Sequence, residues 1–274
     1  MTSVDRRVLP GFSLALGYTI LYMSLLVIVP IAACFLVAAS LSFDEFWGAV
    51  WTDRARAAYS LTFGAAFVAA LVNLVLGLLL AWVLVRYEFP GKKVVDSMVD
   101  LPLALPTAVA GLVYASLYVQ KGWLGQYLVP LGIHGAYSVF AIILVLVFVG
   151  LPFVVRTVQP ILEDFDAEAE EASASLGATR WQTFMNVIFP ALTPALITGF
   201  SLAFARGIGE YGSVVFVSGN MPFKTEIAPI LIVARLEEFA YNEATAIAIV
   251  LLVISFGLLL LINLLERWGK RHER

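Results

Sequence analysis

Charged side chains are scarce in this chain. Asp, Glu, Lys and Arg make up 14% of its 274 residues, against 61% hydrophobic residues. A soluble domain carries about 25% charged residues, so the composition excludes an ordinary water-soluble protein. Six stretches lack charge altogether: 8–43, 57–85, 101–120, 122–155, 181–205 and 244–265. Each reaches the roughly 20 residues that a helix needs to cross a bilayer core.

Cysteine and histidine are also rare. Cys34 is the single cysteine, which excludes an internal disulfide, and His134 and His272 form no metal-ligand pattern. The sequence also lacks G-x-x-x-x-G-K-[ST], because Gly91-Lys92-Lys93 and Gly269-Lys270-Arg271 are only basic turns. We therefore predict no catalytic residue, no metal site and no cofactor bound by this chain.

The uncharged stretches predict helices, since a backbone inside a bilayer must satisfy its own hydrogen bonds. We expect an all-α polytopic membrane protein. Its six transmembrane helices are predicted near 14–40, 58–85, 99–120, 137–157, 188–216 and 244–265. The first run is too long for a signal peptide and lacks a small-residue cleavage site, so we expect it to remain as an anchor.

The distribution of Lys and Arg predicts the orientation. With a cytoplasmic N-terminus, eleven of the seventeen face inward, Arg156 among them, five face outward, and Arg206 lies within the membrane. The positive-inside rule then favours two cytoplasmic termini and a cytoplasmic loop 158–183. The predicted organisation is a first anchor with an outer loop (1–56), a transmembrane domain (57–265) and a cytoplasmic tail (266–274).

A short acidic helix is predicted in that loop, at about 164–178. Asp164 and Asp166 offer N-caps, and acidic residues occupy the first turns, where the helix dipole favours them. Gly177 is a plausible C-cap. Thr179–Gln182 fits a capping box that restarts a helix, so the loop should form a rigid bend that can transmit a push.

The spacing in this loop resembles the EAA loop of ABC importer permeases, written E-A-A, three residues, G, nine residues, I-x-L-P. The residues at its positions are Glu171, Ala172, Ser173, Gly177, Val187, Phe189 and Pro190. Ser173, Val187 and Phe189 depart from that pattern by small or apolar exchanges. The resemblance implies that these residues couple the chain to a separate ATPase subunit, which binds ATP and magnesium.

Further blocks resemble the CysT (CysU) family of sulfate/thiosulfate permease subunits, which are inner-membrane components of binding-protein-dependent transport systems. They cover most of the chain between residue 6 and about residue 220: 6–12, 86–91, 100–111, 152–160, 209–212 and 218–220. Molybdate permeases share the L-P-x-x-x-P-T-A-V-A-G-L motif but are typically shorter and lack the segment at 6–12. The resemblance therefore favours sulfate or thiosulfate, with molybdate or tungstate as the alternative.

The resemblance also implies an assembly in a bacterial inner membrane. The domain at 57–265 would have the type I ABC importer fold and alternate between inward and outward access. The implied partners are a CysW-like second permease subunit, a dimer of a CysA-like ATP-binding subunit, a periplasmic sulfate- or thiosulfate-binding protein and membrane lipid. No nucleic acid is expected.

Two groups are candidates for the translocation path or a gate. Arg206 and Glu210 are four residues apart at membrane depth, where charges are costly, so they either line the path or form a structural ion pair. The second group, at the start of the third predicted crossing, consists of Asp96, Asp100, Pro102 and Pro106. It forms either a cytoplasmic-side hinge or gate, or a helix start where the dipole favours the two aspartates, with a tolerated kink.

Two other sets of residues are open to more than one interpretation. A small-residue ridge in the fifth crossing packs against another subunit or inside this chain: Ala195, Gly199, Ala203 and Gly207. Aromatic residues in the outer loops form an interfacial belt or a docking surface: Trp47, Trp51, Trp123 and Tyr127.

Other classes of membrane protein fit less well. A secondary carrier should show intramembrane acidic relays and internal repeats, and neither is evident. A membrane enzyme should show a nucleophile or a metal cluster, and a structural scaffold has no need of a capped bend in a loop.

Overall fold

The computed structural model describes residues 12–272, and every regular element in that range is helical. The predicted segment 6–11 lies outside the described residues, as do residues 273 and 274. Within the described range, five helices are long and apolar enough to cross a membrane: Leu14–Ala39, Asp53–Arg86, Val139–Glu163, Arg180–Ile208 and Tyr241–Ile262. They correspond to the first, second, fourth, fifth and sixth predicted crossings.

The helices follow one another with short connections. In chain order they are α1 (Phe12–Met23), α2 (Val29–Ala39), α3 (Phe43–Val50), α4 (Asp53–Arg86), α5 (Lys92–Val99), α6 (Leu101–Ala104), α7 (Thr107–Tyr118), α8 (Gly125–Leu128), α9 (Val139–Glu163), α10 (Ala167–Ser175), α11 (Arg180–Thr183), α12 (Phe189–Ile208), α13 (Val214–Val217), α14 (Ala228–Glu237) and α15 (Tyr241–His272). π-helical turns join α1 to α2 and α11 to α12, at Ser24–Ile28 and Phe184–Ile188.

The third predicted crossing, 99–120, is wrong as a single helix. The chain breaks after α6, where Leu105 has an extended backbone with ψ 137°, and α7 begins only at Thr107. Pro106 explains the break, because proline disfavours a helical conformation at the residue before it and donates no backbone hydrogen bond. The 12 residues of α7 span roughly 18 Å, which is less than a bilayer core of about 30 Å.

The fifth predicted crossing, 188–216, is also too long. Helix α12 ends at Ile208, with Gly209 as its C-cap, and α13 forms a separate turn. The interruption falls among glycines, which lower helix stability. Glu210 therefore lies beyond the helix that carries Arg206.

Prolines account for both π-helical turns. The turn Ser24–Ile28 ends two residues before Pro30, and the turn Phe184–Ile188 ends two residues before Pro190. A proline inside a helix removes one hydrogen bond and collides with the carbonyl four residues earlier. A widened turn accommodates that collision, so the proline that closes the loop motif also shapes the start of α12.

Helices α4, α9 and α12 form the core of the bundle, and small side chains let them approach closely. A Cβ atom on Gly199 would lie 2.5 Å from Thr157 Oγ1 and 2.9 Å from Val154 Cα, and one on Gly207 would lie 3.1 Å from Ala66 Cβ. The small-residue ridge therefore packs inside this chain, against α9 and α4. Helices α1 and α2 remain outside this core, and α2 packs against α15.

Substituting alanine for each of two glycines of α4 tests this packing. A Cβ atom on Gly77 would lie 2.7 Å from Val154 Cβ, whereas one on Gly64 would meet nothing within 4 Å. We expect Gly77→Ala to lower the free energy of unfolding by about 2 kcal/mol through overpacking. The matched variant Gly64→Ala should leave it unchanged or raise it by up to about 1 kcal/mol, because alanine favours helix. Thermal unfolding in detergent measures both, and equal midpoints would contradict the packing described.

Candidate functional site

The predicted acidic helix is present as α10. Asp166 begins it, because its Oδ1 accepts a hydrogen bond from the Glu168 N–H at 2.9 Å. Asp164 instead follows the end of α9, so its predicted N-cap role is wrong. Only Phe165 separates the two aspartates, which makes the connection from α9 to α10 very short.

A Schellman motif ends α10. Gly177 has φ +83°, a conformation that glycine adopts without strain. Its N–H donates to the Ala174 carbonyl at 2.9 Å, and the Ala178 N–H donates to the Ser173 carbonyl at 3.1 Å. The predicted glycine C-cap is confirmed.

The chain then turns directly into α11 through the predicted capping box. Thr179 Oγ1 accepts from the Gln182 N–H at 3.3 Å, and Gln182 Oε1 accepts from the Thr179 N–H at 2.8 Å. Ser173 and Thr183 join the two arms through their hydroxyl oxygens, 2.9 Å apart. The serine that departs from the family pattern thus makes a contact that alanine lacks. We call residues 167–183 the elbow.

The elbow is attached to the end of α4. Arg86, the last residue of α4, pairs with Glu170 and lies 5.2 Å over the Trp82 ring. Trp82 in turn packs edge-on against Phe184, with ring centroids 5.5 Å apart. A cavity of about 380 Å³ lies between α4 and the elbow, with Glu171 in its lining.

The rest of the elbow faces outward. Glu171 and Ala172 are exposed, and the large apolar side chains of Leu176 and Trp181 are 89% and 65% exposed. Exposed apolar groups of this size in a polar loop are typical of a protein interaction surface. Beyond the elbow, Val187 is half-buried, and Phe189 and Pro190 are exposed.

Arg206 and Glu210 form the predicted pair, with Arg206 Nη1 2.5 Å from Glu210 Oε2. Glu210 is 1% exposed, whereas the Arg206 side chain is 33% exposed. The second carboxylate oxygen, Oε1, accepts from the Ser213 N–H and the Ser213 hydroxyl, each at 2.8 Å. Glu210 thus closes the turn after α12 while it holds one side of the Arg206 guanidinium.

The second candidate group lies around the break in the third segment. Asp100 joins α5 to α6, Pro102 is buried in α6, and Pro106 is exposed at the start of α7. Arg156 of α9 binds Asp100, and its guanidinium holds the pKa of that carboxyl below its usual range. Asp96 of α5 also accepts from Arg156, at 2.6 Å, so the aspartates at 96 and 100 do more than favour a helix start.

The segments that carry the two candidate groups approach closely at two glycines. A Cβ atom on Gly111 of α7 would lie 2.3 Å from the Ser213 carbonyl oxygen. One on Gly212 would lie 2.2 Å from Thr107 Oγ1, so neither position has room for a side chain. The sequence blocks 100–111 and 209–212 thus pack against each other.

Sequence reasoning missed the role of Arg156, which it counted only as an inward-facing cation. The signal was present in Asp96 and Asp100, two like charges one helical turn apart that repel unless they share a cation. Among residues 12–272, no cluster of three His, Cys, Asp or Glu side chains is placed to hold a metal ion.

Comparison with known proteins places the chain in a family. The model for the inner membrane component of binding-protein-dependent transport systems matches residues 73–272. The chain belongs to this family. It is 54% identical to the sulfate transport system permease protein CysT of Synechocystis sp., with 93% of this chain and 89% of that protein covered. It is 47% identical to the CysT protein of Escherichia coli, with 97% of each covered. The predicted resemblance is confirmed.

Solved structures confirm the predicted fold class. A bacterial ABC transporter that imports the acidic polysaccharide alginate matches with a TM-score of 0.78 at 16% identity, covering 93% of this chain and 94% of that chain. The alginate transporter in complex with an alginate pentasaccharide-bound periplasmic protein matches with a TM-score of 0.77 at 19% identity, covering 93% of each chain. The chain is an integral membrane protein with the type I ABC importer permease fold.

Proposed function

We propose that this chain is the membrane-spanning permease subunit of an ATP-driven sulfate importer. The similarity to CysT proteins over nearly the whole chain carries the proposal. It favours sulfate over the molybdate alternative. The anion would cross along a path formed with a second permease subunit, while ATP and magnesium would bind a separate ATPase.

The elbow is the proposed docking point for that ATPase. Its backbone is capped at both ends of the bend, and Leu176 and Trp181 present apolar surface to a soluble partner. Helix α9 leads into the elbow and α12 leads out of it, so a push on the elbow reaches two helices of the core. We assign the coupling role to the predicted motif residues on this ground.

The remaining partners are proposed by analogy with a solved transporter, and the orientation is proposed from the distribution of Lys and Arg. The alginate transporter was solved in complex with an alginate pentasaccharide-bound periplasmic protein, which supports a periplasmic sulfate- or thiosulfate-binding protein as partner here. A CysW-like permease and a CysA-like ATPase dimer would complete the assembly. The family description supports an inner-membrane location, and the excess of Lys and Arg on one side supports two cytoplasmic termini.

Uptake of labelled sulfate tests the proposed substrate. A strain that lacks this chain should fail to accumulate sulfate, and the wild-type chain should restore uptake. Unlabelled thiosulfate should compete, whereas molybdate at the same concentration should not. Failure of the wild-type chain to restore sulfate uptake, or competition by molybdate as strong as that by unlabelled sulfate, would contradict the proposal.

Charge reversal on the elbow tests the ATPase contact. Glu171→Lys replaces an exposed carboxylate of the elbow with a cation and should weaken co-purification of the ATPase at moderate salt. The control Asp44→Lys makes the same reversal on α3, which the proposed orientation places at the opposite membrane surface. Equal recovery of the ATPase with both variants would remove Glu171 from the contact.

Arg206 is our candidate for a residue that lines the path. Glu210 holds one side of its guanidinium, and a third of the side chain remains exposed to attract a dianion by charge-assisted hydrogen bonds. We expect Arg206→Gln to reduce sulfate uptake per folded complex by about tenfold. Arg56→Gln, which removes an exposed arginine near the start of α4, is the control. Wild-type affinity and rate in Arg206→Gln would leave the ion pair a purely structural role.

A further inference from the structure

The guanidinium of Arg156 uses all of its hydrogen-bond donors, and most of these bonds join α9 to the segment around α5 and α6. Its Nε and Nη2 donate to the two carboxylate oxygens of Asp100 at 2.9 and 2.6 Å. Its Nη1 donates to Asp96 Oδ1 at 2.6 Å and to Gln159 Oε1 at 2.7 Å, and Nη2 donates again to the Asp96 carbonyl at 2.9 Å. These five contacts use all five N–H donors of the side chain.

This cluster differs from an ordinary surface ion pair. The side chains of Arg156, Asp96 and Asp100 are 32%, 40% and 48% exposed, and a single pair at such exposure contributes little. The fork of the guanidinium, however, meets Asp100 in the bidentate geometry that gives strong, directional contacts. A lysine has neither the fork nor enough donors in the right directions, so the geometry is specific for arginine.

The cluster lies between two parts of the proposed transport machinery. On one side, Arg156 is two turns before the end of α9, which continues through a three-residue connection into the elbow. On the other side, Asp100 directly precedes α6 and the break at Leu105 and Pro106. Helices α5 and α6 have eight and four residues, too few to be stable without tertiary contacts.

The contacts continue from the break to the buried end of α12. Helix α7 packs against the turn after α12 through Gly111 and Ser213 and through Thr107 and Gly212. That turn contains Glu210, which binds Arg206. A continuous series of contacts therefore runs from the elbow through Arg156 to the candidate path residues.

On the basis of the proposed function, we infer that Arg156 is a positioning residue that makes the interrupted third segment move with the elbow. When α9 shifts with the elbow, Arg156 pulls Asp96 and Asp100 with it, and the break before α7 absorbs the change. Without Arg156, α9 can move while α5 and α6 stay behind. The ATPase subunit would then hydrolyse ATP while the anion is not transported.

The coupling ratio of the reconstituted complex tests this role. The permease pair, the ATPase and the binding protein are assembled in proteoliposomes, and sulfate imported per ATP hydrolysed is measured. Arg156→Gln should lower this ratio by about tenfold, and Arg156→Lys should also lower it. The control Lys93→Gln removes an exposed cation from α5 and should leave the ratio unchanged.

A ratio separates coupling from folding, because a purely structural defect lowers import and hydrolysis together. An unchanged ratio in Arg156→Gln, whatever the amount of complex recovered, would overturn the inference. If that variant yields no complex, Asp100→Asn decides, since it weakens the bidentate contact while keeping the side-chain shape. A lowered ratio there supports the role of Arg156, and a wild-type ratio overturns it.

A second arm exchanges the charges. Asp100→Arg alone should lower the ratio, and combining it with Arg156→Asp should recover the ratio in part. No recovery would contradict the inference that the contact between these two residues carries the coupling.

A wild-type complex that imports molybdate and not sulfate would contradict the proposed substrate only. The same ratio would then be measured with molybdate, so the two proposals fail separately.

Discussion

The close approach of α4, α9 and α12 is the constraint on which the rest of this structure depends. Lipid tails are as apolar as leucine, so helices in a bilayer gain little from hiding apolar surface and must instead pack closely. The absence of a side chain at Gly77, Gly150, Gly199 and Gly207 allows that packing. All three core helices also reach the elbow: α9 enters it, α12 leaves it, and Arg86 at the end of α4 binds Glu170.

The elbow was predictable almost residue by residue, because capping depends on neighbours within a few positions. The glycine at 177 and the box formed by Thr179 and Gln182 are local patterns, and both were found as predicted. The five long helices were also predictable, since uncharged length alone indicates a membrane span. Their ends were less certain, as α12 shows by stopping at Ile208 where glycines follow.

What escaped sequence reasoning depends on distant partners. The third segment has the composition of a membrane span, and only its prolines indicated that it would break. Arg156 reaches Asp100 and Asp96 across 56 and 60 positions, a separation that leaves no periodic pattern in the chain. The contact between the small-residue ridge and α9 escaped for the same reason, since a ridge shows that a neighbour is close without showing which one.

The double cap of the elbow has a consequence for assembly. The Schellman motif at Gly177 and the capping box at Thr179 satisfy the backbone of the bend from within this chain, and the hydroxyl contact between Ser173 and Thr183 fixes the angle of its arms. A surface that is already in its bound shape loses little conformational entropy when it meets another protein. The elbow is thus preorganised, and a soluble subunit can leave and return without any refolding on the membrane side.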